Sequence, residues 1–197
     1  MNKKIAIIGA GGHGKVIGEI ALLNQYKDIH FFDDNINEIK NFPFSIVGNL
    51  DQLKNNLKDY NAFFVGIGNN EVRYDKILWL KKEKVKIVSL IHPKSIISKL
   101  SYLGDGTCVM ANAVVNPGTS IKEGVIINTS SSIDHDCFID EYSHISPNSS
   151  LSGNVSIGKF THLGTGTSVH PGIKIGNNVK TGIGSRVYQN IFDGKVF

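Results

Sequence analysis

Little in this sequence could staple a fold together or carry it across a membrane. The only two cysteines among the 197 residues, Cys108 and Cys137, make neither a C-x-x-C pair nor a disulfide framework. The fold must therefore be held by packing, and the cysteine usage fits a reducing compartment. No apolar stretch approaches the roughly 18 residues that a membrane-spanning helix needs. The basic start, MNKKIAIIGAGG, breaks into glycines too early for a signal peptide, so a cytoplasmic protein is expected. Strong charge is also lacking. The formal net charge is +4, and residues 1–96 hold 14 Lys/Arg against 10 Asp/Glu while residues 97–197 hold 7 of each. The densest basic cluster, KKEKVK at 81–86, has none of the interleaved aromatics that a single-strand nucleic-acid platform needs. It reads as the solvated end of a helix, and no nucleic-acid partner is expected.

What is present divides into two halves. The first alternates strands and helices: KIAIIG at 4–9, IHFF at 29–32, AFFVGIG at 62–68 and KIVSLI at 86–91, with helical stretches near 13–24, 49–58 and 71–84. That pattern predicts a small parallel α/β sheet. Such sheets bind ligands beyond the carboxyl ends of their strands. Those ends carry GAGGHG at 9–14, Asp33 with Asp34, and GIGNNEVR at 66–73. Gly9, Gly11 and Gly14 satisfy G-x-G-x-x-G, and two acids follow about twenty residues later, as in a dinucleotide fingerprint. The physical content of that fingerprint is narrower: bare backbone lets a phosphate reach a helix N-terminus. About 92 residues supply only one mononucleotide-sized half of a doubly wound fold, which favours a nucleotide diphosphate over NAD.

From residue 97 onward the period is six. Every sixth residue from Ile97 to Val187 is aliphatic except Thr181, and four residues after each stands a small or β-branched one, from Ser101 to Ser185. Helices and ordinary strands have periods of 3.6 and 2, whereas six fits a short strand plus a turn, coiling as a solenoid. With three such faces per coil, eighteen residues climb one strand spacing of about 4.8 Å. Gly104, Gly158, Gly164, Gly176 and Gly182, each directly after a column residue, are expected to relieve the turns.

One hexapeptide, IDHDCF, stands out. Ile133 and Cys137 take the inward positions, which leaves Asp134, His135 and Asp136 at a corner. An imidazole between two carboxylates can be oriented by them and is favoured as imidazolium when it takes a proton. His144 is also expected to point outward, half a coil later, so the two histidines can converge only across a corner or between subunits. His162 stands one coil above His144. Covalent catalysis is disfavoured, because Cys137 is a core position and Cys108, expected to face outward, has no neighbouring base.

The hexapeptide ladder resembles the left-handed parallel β-helix of the hexapeptide acyltransferases. Joined to GAGGHG, DD at 33–34, IGNNEVR at 67–73 and NTSSSIDHDCFIDEYSHIS at 128–146, it is similar to the NeuD/PglD-type sugar acetyltransferases over nearly the whole chain. The resemblance implies a Rossmann-like α/β domain over 1–92 that binds a nucleotide sugar, and a left-handed β-helix acetyltransferase domain over 93–197. It also implies a homotrimer with active sites between subunits, and acetyl-CoA as donor. The implied reaction is acetylation of the amine of a nucleotide-linked sugar of the UDP-4-amino-4,6-dideoxy type, for bacterial surface glycan or glycoprotein sugars. On that reading His135 is the general base, Asp136 orients it with Asp134 sharing the role, and His144 contacts the thioester carbonyl or CoA. Gly153, Gly164, Thr165 and Gly182 line the CoA site, with backbone N–H groups near Gly153 and Gly164 facing the oxyanion. Asn128 holds the acceptor sugar. The diphosphate falls to Gly9, Gly11, Gly12, His13 and Gly14, and the nucleoside or sugar to Asp33, Asp34, Gly68 and Asn69.

Family members continue past the last coil with a segment resembling GVPAK that helps close the CoA site. This sequence reads DGKVF there, a departure that bears on CoA affinity and not on fold. Lys180 and Arg186 are placed to meet CoA phosphates or to serve as solvated charge. The gamma-class carbonic anhydrases share histidine-bound zinc on a similar helix, but His135, His144, His162 and His170 do not reproduce their spacing, and no metal is expected. Two other readings stay open. One is sialic-acid-type O-acetylation, in which Arg73 or crevice lysines would meet an anionic sugar. The other is a non-catalytic nucleotide-binding partner.

Overall fold

The computed structural model describes residues 3–197, and the chain divides into two compact units that meet at Leu90 and Ile91. Met1 and Asn2, the start of the segment weighed against a signal peptide, lie outside the described residues. Among the described residues no helix is long and apolar enough to cross a membrane.

The first unit is a four-stranded parallel sheet. Strands β1 (Lys4–Ile8), β2 (Asp28–Phe32), β3 (Ser45–Gly48) and β4 (Ala62–Val65) lie in the order β3-β2-β1-β4. Ile5, Ala6, Ile7 and Ile8 are all buried, because both faces of the central strand are covered, as parallel sheets require. Helices α1 (Gly12–Leu23), α2 (Leu50–Asn55) and α3 (Asn70–Lys82) connect the strands. The chain reverses its direction of strand addition at β1, with β2 on one side and β4 on the other, so the carboxyl ends of β1 and β4 border the switch point where such folds bind ligands.

Three expectations are corrected in this unit. Strand β3 was not foreseen. The expected strand at 86–91 reduces to a bridge between Ile87 and Phe63 and a two-residue strand at Leu90–Ile91. The expected helix at 49–58 ends at Asn55 and gives way to a 3-10 turn, Leu57–Asp59.

The second unit is a three-sided parallel β-helix. Two-residue strands stack with an eighteen-residue offset into sheets of five, five and six strands. The first face includes Ile126–Ile127, His144–Ile145 and His162–Leu163; the second includes Ser132–Ile133 and Ser150–Leu151; the third includes Ser120–Ile121 and Phe138–Ile139. The aliphatic column and the small-residue column both line the core, with Ile133, Ile139, Ile145, Thr107, Ser131 and Ser143 fully buried. Buried hydroxyls are satisfied by the next coil: Ser143 Oγ donates to Gly158 O at 2.7 Å, and Thr161 Oγ1 to Gly176 O at 2.6 Å. Two-residue strands have little pairing of their own. The aliphatic stack, at about 1.5–3 kcal/mol per buried side chain, outweighs them as the source of stability.

The turn glycines act differently from expectation. The left-handed backbone falls three residues after each column aliphatic, at Asn112, Gly118, Ser130, Asp136, Tyr142 and their successors. Gly104, Gly158 and Gly164 are glycine because a Cβ would strike the backbone of the coil above, at 2.6, 2.5 and 2.5 Å respectively. Cys108, expected to face outward, is completely buried.

Candidate functional site

The α/β unit holds a crevice of about 430 Å³ at the switch point, lined by Gly9, Gly11, Gly12 and His13, by Asp33, Asp34 and Asn35, and by Gly66, Ile67 and Gly68 with Leu50, Val72 and Lys76. Its glycines divide the work. Gly9 has φ +102, which turns the chain out of β1, and Gly14 lies so close to the Gly9 carbonyl that α1 can approach the strand only without a side chain there. Gly11 and Gly12 have nothing within 4 Å of a would-be Cβ and present bare backbone at the N-terminus of α1.

Several polar side chains around the crevice turn out to be braces. Both oxygens of Asp33 accept backbone N–H groups, from Ala10 at 2.8 Å and Asn35 at 2.9 Å. Asn69 caps α3 by accepting the Val72 N–H at 3.0 Å, and neither it nor Gly14 lines the crevice. Arg73 was weighed as a cation for an anionic sugar, yet it is 1% exposed. Its guanidinium donates to the carbonyls of Ile67 and Gly68, both at 3.1 Å, and to Asn70 Oδ1 at 2.8 Å. It fixes the loop and does not face a ligand. The imidazole of His13 is pulled down to about 4, first by burial and then by the Arg73 charge, and so is neutral near pH 7. Lys76 was not foreseen as a crevice residue. The available signal was its place one helical turn after Val72.

In the β-helix the expected site residues fall into two groups. At the corner between the second and third faces, His135 Nδ1 and Asp136 Oδ2 are 2.8 Å apart, and the imidazole is 60% exposed. Asp136 sits at φ +58, a conformation an acidic residue tolerates and which turns its carboxylate back to its neighbour. The hydrogen bond to Asp136, then the Asp134 charge, raise the His135 pKa above its usual value. Asp134 acts on the ring through its charge alone, since the contacts of its Oδ1 are to the His135 N–H at 2.8 Å and the Asn116 amide at 3.0 Å. Those bonds lower its own pKa, that of the His135 N–H foremost. Glycines of the adjacent coils make the room. A Cβ on Gly153 would lie 2.6 Å from His135 Nε2, and one on Gly118 would strike the Asp136 carboxylate. Cys137, directly beneath, is buried and its thiol is pushed up by desolvation.

The second group lies on and beside the first face. His144, expected to point outward, is 8% exposed. Its ring stacks on that of His162 with centroids 4.5 Å apart and planes 13° from parallel. Asn128 Nδ2 lies 3.0 Å from His144 Nε2, and Ser146 Oγ repeats that contact one coil later with His162 Nε2 at 3.0 Å. Gly164 and Gly182 continue the Asn128 column, with Thr165 beside Gly164. Their N–H groups are already engaged, Gly164 with Thr181 Oγ1 at 2.9 Å and Gly182 with Phe197 O at 2.7 Å. The expected oxyanion role is therefore withdrawn from the Gly164 N–H. In a three-sided coil, the corner carrying His135 is opposite the face carrying His144, so one β-helix does not bring the two together. Among the described residues no cluster of three or more His, Cys, Asp or Glu side chains could hold a metal ion.

Residues 4–78 match the PglD N-terminal domain family. The acetyltransferase domain of PglB from Neisseria gonorrhoeae FA1090, solved in complex with acetyl coenzyme A, matches with a TM-score of 0.94 at 38% identity, covering 100% of this chain and 96% of that one. The chain belongs to the PglD-type sugar acetyltransferases. As a member it carries the left-handed form of the parallel β-helix. An H-to-N mutant of perosamine N-acetyltransferase from Caulobacter crescentus, in complex with CoA and GDP-perosamine, matches at a TM-score of 0.93 and 30% identity, covering 100% of this chain and 93% of that chain. The curated UDP-N-acetylbacillosamine N-acetyltransferase of Bacillus subtilis is 38% identical over 115 residues, which are 55% of this chain and 52% of that protein. The shared stretch thus spans about half the length of that curated relative.

Proposed function

We propose that this PglD-type protein transfers the acetyl group of acetyl-CoA to the amine of a nucleotide-linked amino sugar, with a UDP-linked 4-amino-4,6-dideoxy sugar as acceptor. The observation that carries the reading is the His135–Asp136 pair, held at 2.8 Å on a corner cleared by two glycines, in a chain that also holds a phosphate-type crevice.

The chemistry follows from that pair. Asp136 accepts a hydrogen bond from the Nδ1–H, so the Nε2 lone pair is the one available to take a proton from the sugar amine as it attacks the thioester carbonyl. The carbon–nitrogen bond forms, the carbon–sulfur bond breaks, and the thiolate leaves as CoA after taking up a proton. The bare Gly153 backbone gives the thioester a flat approach beside Nε2. Asn128 positions the acceptor sugar, and the His144–His162 stack with Gly164, Thr165 and Gly182 contacts the CoA. The crevice anchors the diphosphate through Gly9, Gly11, Gly12 and His13, with Asp34 and Gly68 along the nucleoside or sugar. Remote binding of that kind lowers the barrier by holding a weak nucleophile in place.

A homotrimer is part of the proposal. His135 and His144 of one chain stand on opposite sides of the coil, so both reach one acetyl group only if the corner of one copy faces the first face of the next. Exposed Ile96, Leu100, Tyr102 and Phe138 flank that same corner and supply apolar surface for such a neighbour.

The test is release of CoA thiol on mixing acetyl-CoA with UDP-4-amino-4,6-dideoxy-N-acetylglucosamine, a GDP-linked 4-amino sugar, or sialic acid. Turnover with the UDP sugar is expected. Turnover with the GDP sugar alone replaces the nucleotide assignment, turnover with sialic acid alone replaces the reaction, and silence with every acceptor sinks the enzymatic reading. The buried Arg73 already counts against an anionic sugar.

A further inference from the structure

The crevice must accept a diphosphate, yet two carboxylates, Asp33 and Asp34, line it. The groups that could offset them are mostly committed. Arg73 is spent on the loop, and His13 is neutral. Lys76 is the lysine of the lining.

Asp33 and Asp34 differ in how they are held. Asp33 is fixed at both oxygens by backbone N–H groups. Asp34 is anchored at one oxygen only, by the Leu50 N–H at 3.1 Å. Its other oxygen stands 3.9 Å from Lys76 Nζ, beyond direct hydrogen-bond reach, and its side chain is 57% exposed. A pair at that separation, with Asp34 exposed and Lys76 partly buried, is weakly held. A phosphate oxygen offers the same ammonium a shorter, charge-assisted bond, and the flexible lysine stem lets it move.

We propose that Lys76 is the diphosphate-binding cation of this crevice and that the Asp34–Lys76 pair is a latch opened by the nucleotide. The ammonium swings from the carboxylate to the phosphate oxygens. Asp34, still anchored by Leu50, turns its released oxygen to a hydroxyl or N–H of the nucleoside. The crevice thus keeps its charge balanced when empty and reads both ends of a nucleoside diphosphate when filled. This inference rests on the nucleotide-sugar reading above.

Calorimetry on the full chain tests it with three probes, UDP, inorganic pyrophosphate and uridine, and with GDP as a control nucleotide on the wild type. Lys76→Met is expected to weaken UDP and pyrophosphate by about 10-fold or more, the scale of a charge-assisted bond, while uridine binding stays at the wild-type level. Lys76→Arg should restore most of the UDP affinity, and raising the salt should weaken UDP binding more steeply in the wild type than in Lys76→Met. Asp34→Asn should weaken uridine yet tighten pyrophosphate, because the lysine is released. Equal losses for all three probes in Lys76→Met would mean a packing role and overturn the proposal, as would UDP binding at the wild-type level. Pyrophosphate unchanged or weakened in Asp34→Asn overturns the latch. Should the wild type bind neither UDP nor GDP, the nucleotide-sugar reading falls and this inference with it.

Discussion

The crevice of the α/β unit and the His135 corner of the β-helix use polar side chains in opposite ways. Around the crevice Asp33, Asn69 and Arg73 are consumed by nearby backbone, and the surface left for a ligand combines bare glycine backbone at a helix N-terminus with the side chains of Asp34 and Lys76. At the corner the glycines recede from the side chains, and an exposed imidazole and carboxylate remain. The difference teaches where each task is placed. Holding a diphosphate needs several fixed N–H dipoles, which backbone supplies with little entropy to lose, whereas moving a proton needs one titratable group with a clear approach.

The comparison breaks most visibly at the base. His135→Ala is expected to lower kcat by about 10²–10⁴-fold, the range for a general base, with nucleotide affinity retained. Steady-state thiol release beside calorimetric UDP binding checks this, and a kcat within a few-fold of wild type removes His135 from the reaction. A smaller effect, on the other region, follows from Gly14→Ala. The new Cβ meets the Gly9 carbonyl, backbone that cannot swing aside, at a cost of about 1–3 kcal/mol for overpacking. Denaturant unfolding should show that loss along with a raised KM for the nucleotide sugar. An unchanged midpoint would mean that α1 does not need its close approach to β1.

The smallest effect sharpens the corner. In the proposed reaction His135 acts as a neutral base, and Asp136 raises its pKa, so the rate is expected to rise with pH through a value above the ordinary 6.5 and to level off beyond it. Asp136→Asn removes the charge that favours imidazolium, so the rising limb moves to lower pH. The plateau drops by about 10-fold as the ring loses its orienting acceptor. A pH–rate profile with an unmoved limb would show that Asp136 does not act on His135.

The β-helix was legible because its period of six repeats from Ile97 to Val187, and each repeat restates the same core. Strand β3 was not: Ser45–Gly48 is four residues long and only Gly48 is buried, so its pairing with β2 comes from tertiary docking, and the adjacent Ile46 and Val47 give no alternating pattern. The turn glycines were noticed but misread, since close approach between coils and left-handed backbone both select glycine, and only φ values separate the two. The His135 cluster was visible as acids flanking a histidine. Spacing alone could not tell which acid holds the ring, because Asp134 and Asp136 are equally near along the chain; the resemblance pointed to Asp136, and the turn geometry places its carboxylate on the ring.

By itself, the order of residues determined the class of each half, since strand-turn periodicity and a glycine-rich first turn are local properties that act within a few residues. Only the tertiary structure decided which polar groups are spent on the fold and which face a ligand. Burial and many hydrogen-bond partners are set by chain segments distant in sequence: Asp33 met the Ala10 N–H, His144 went under cover between Asn128 and His162, and Lys76 reached the crevice.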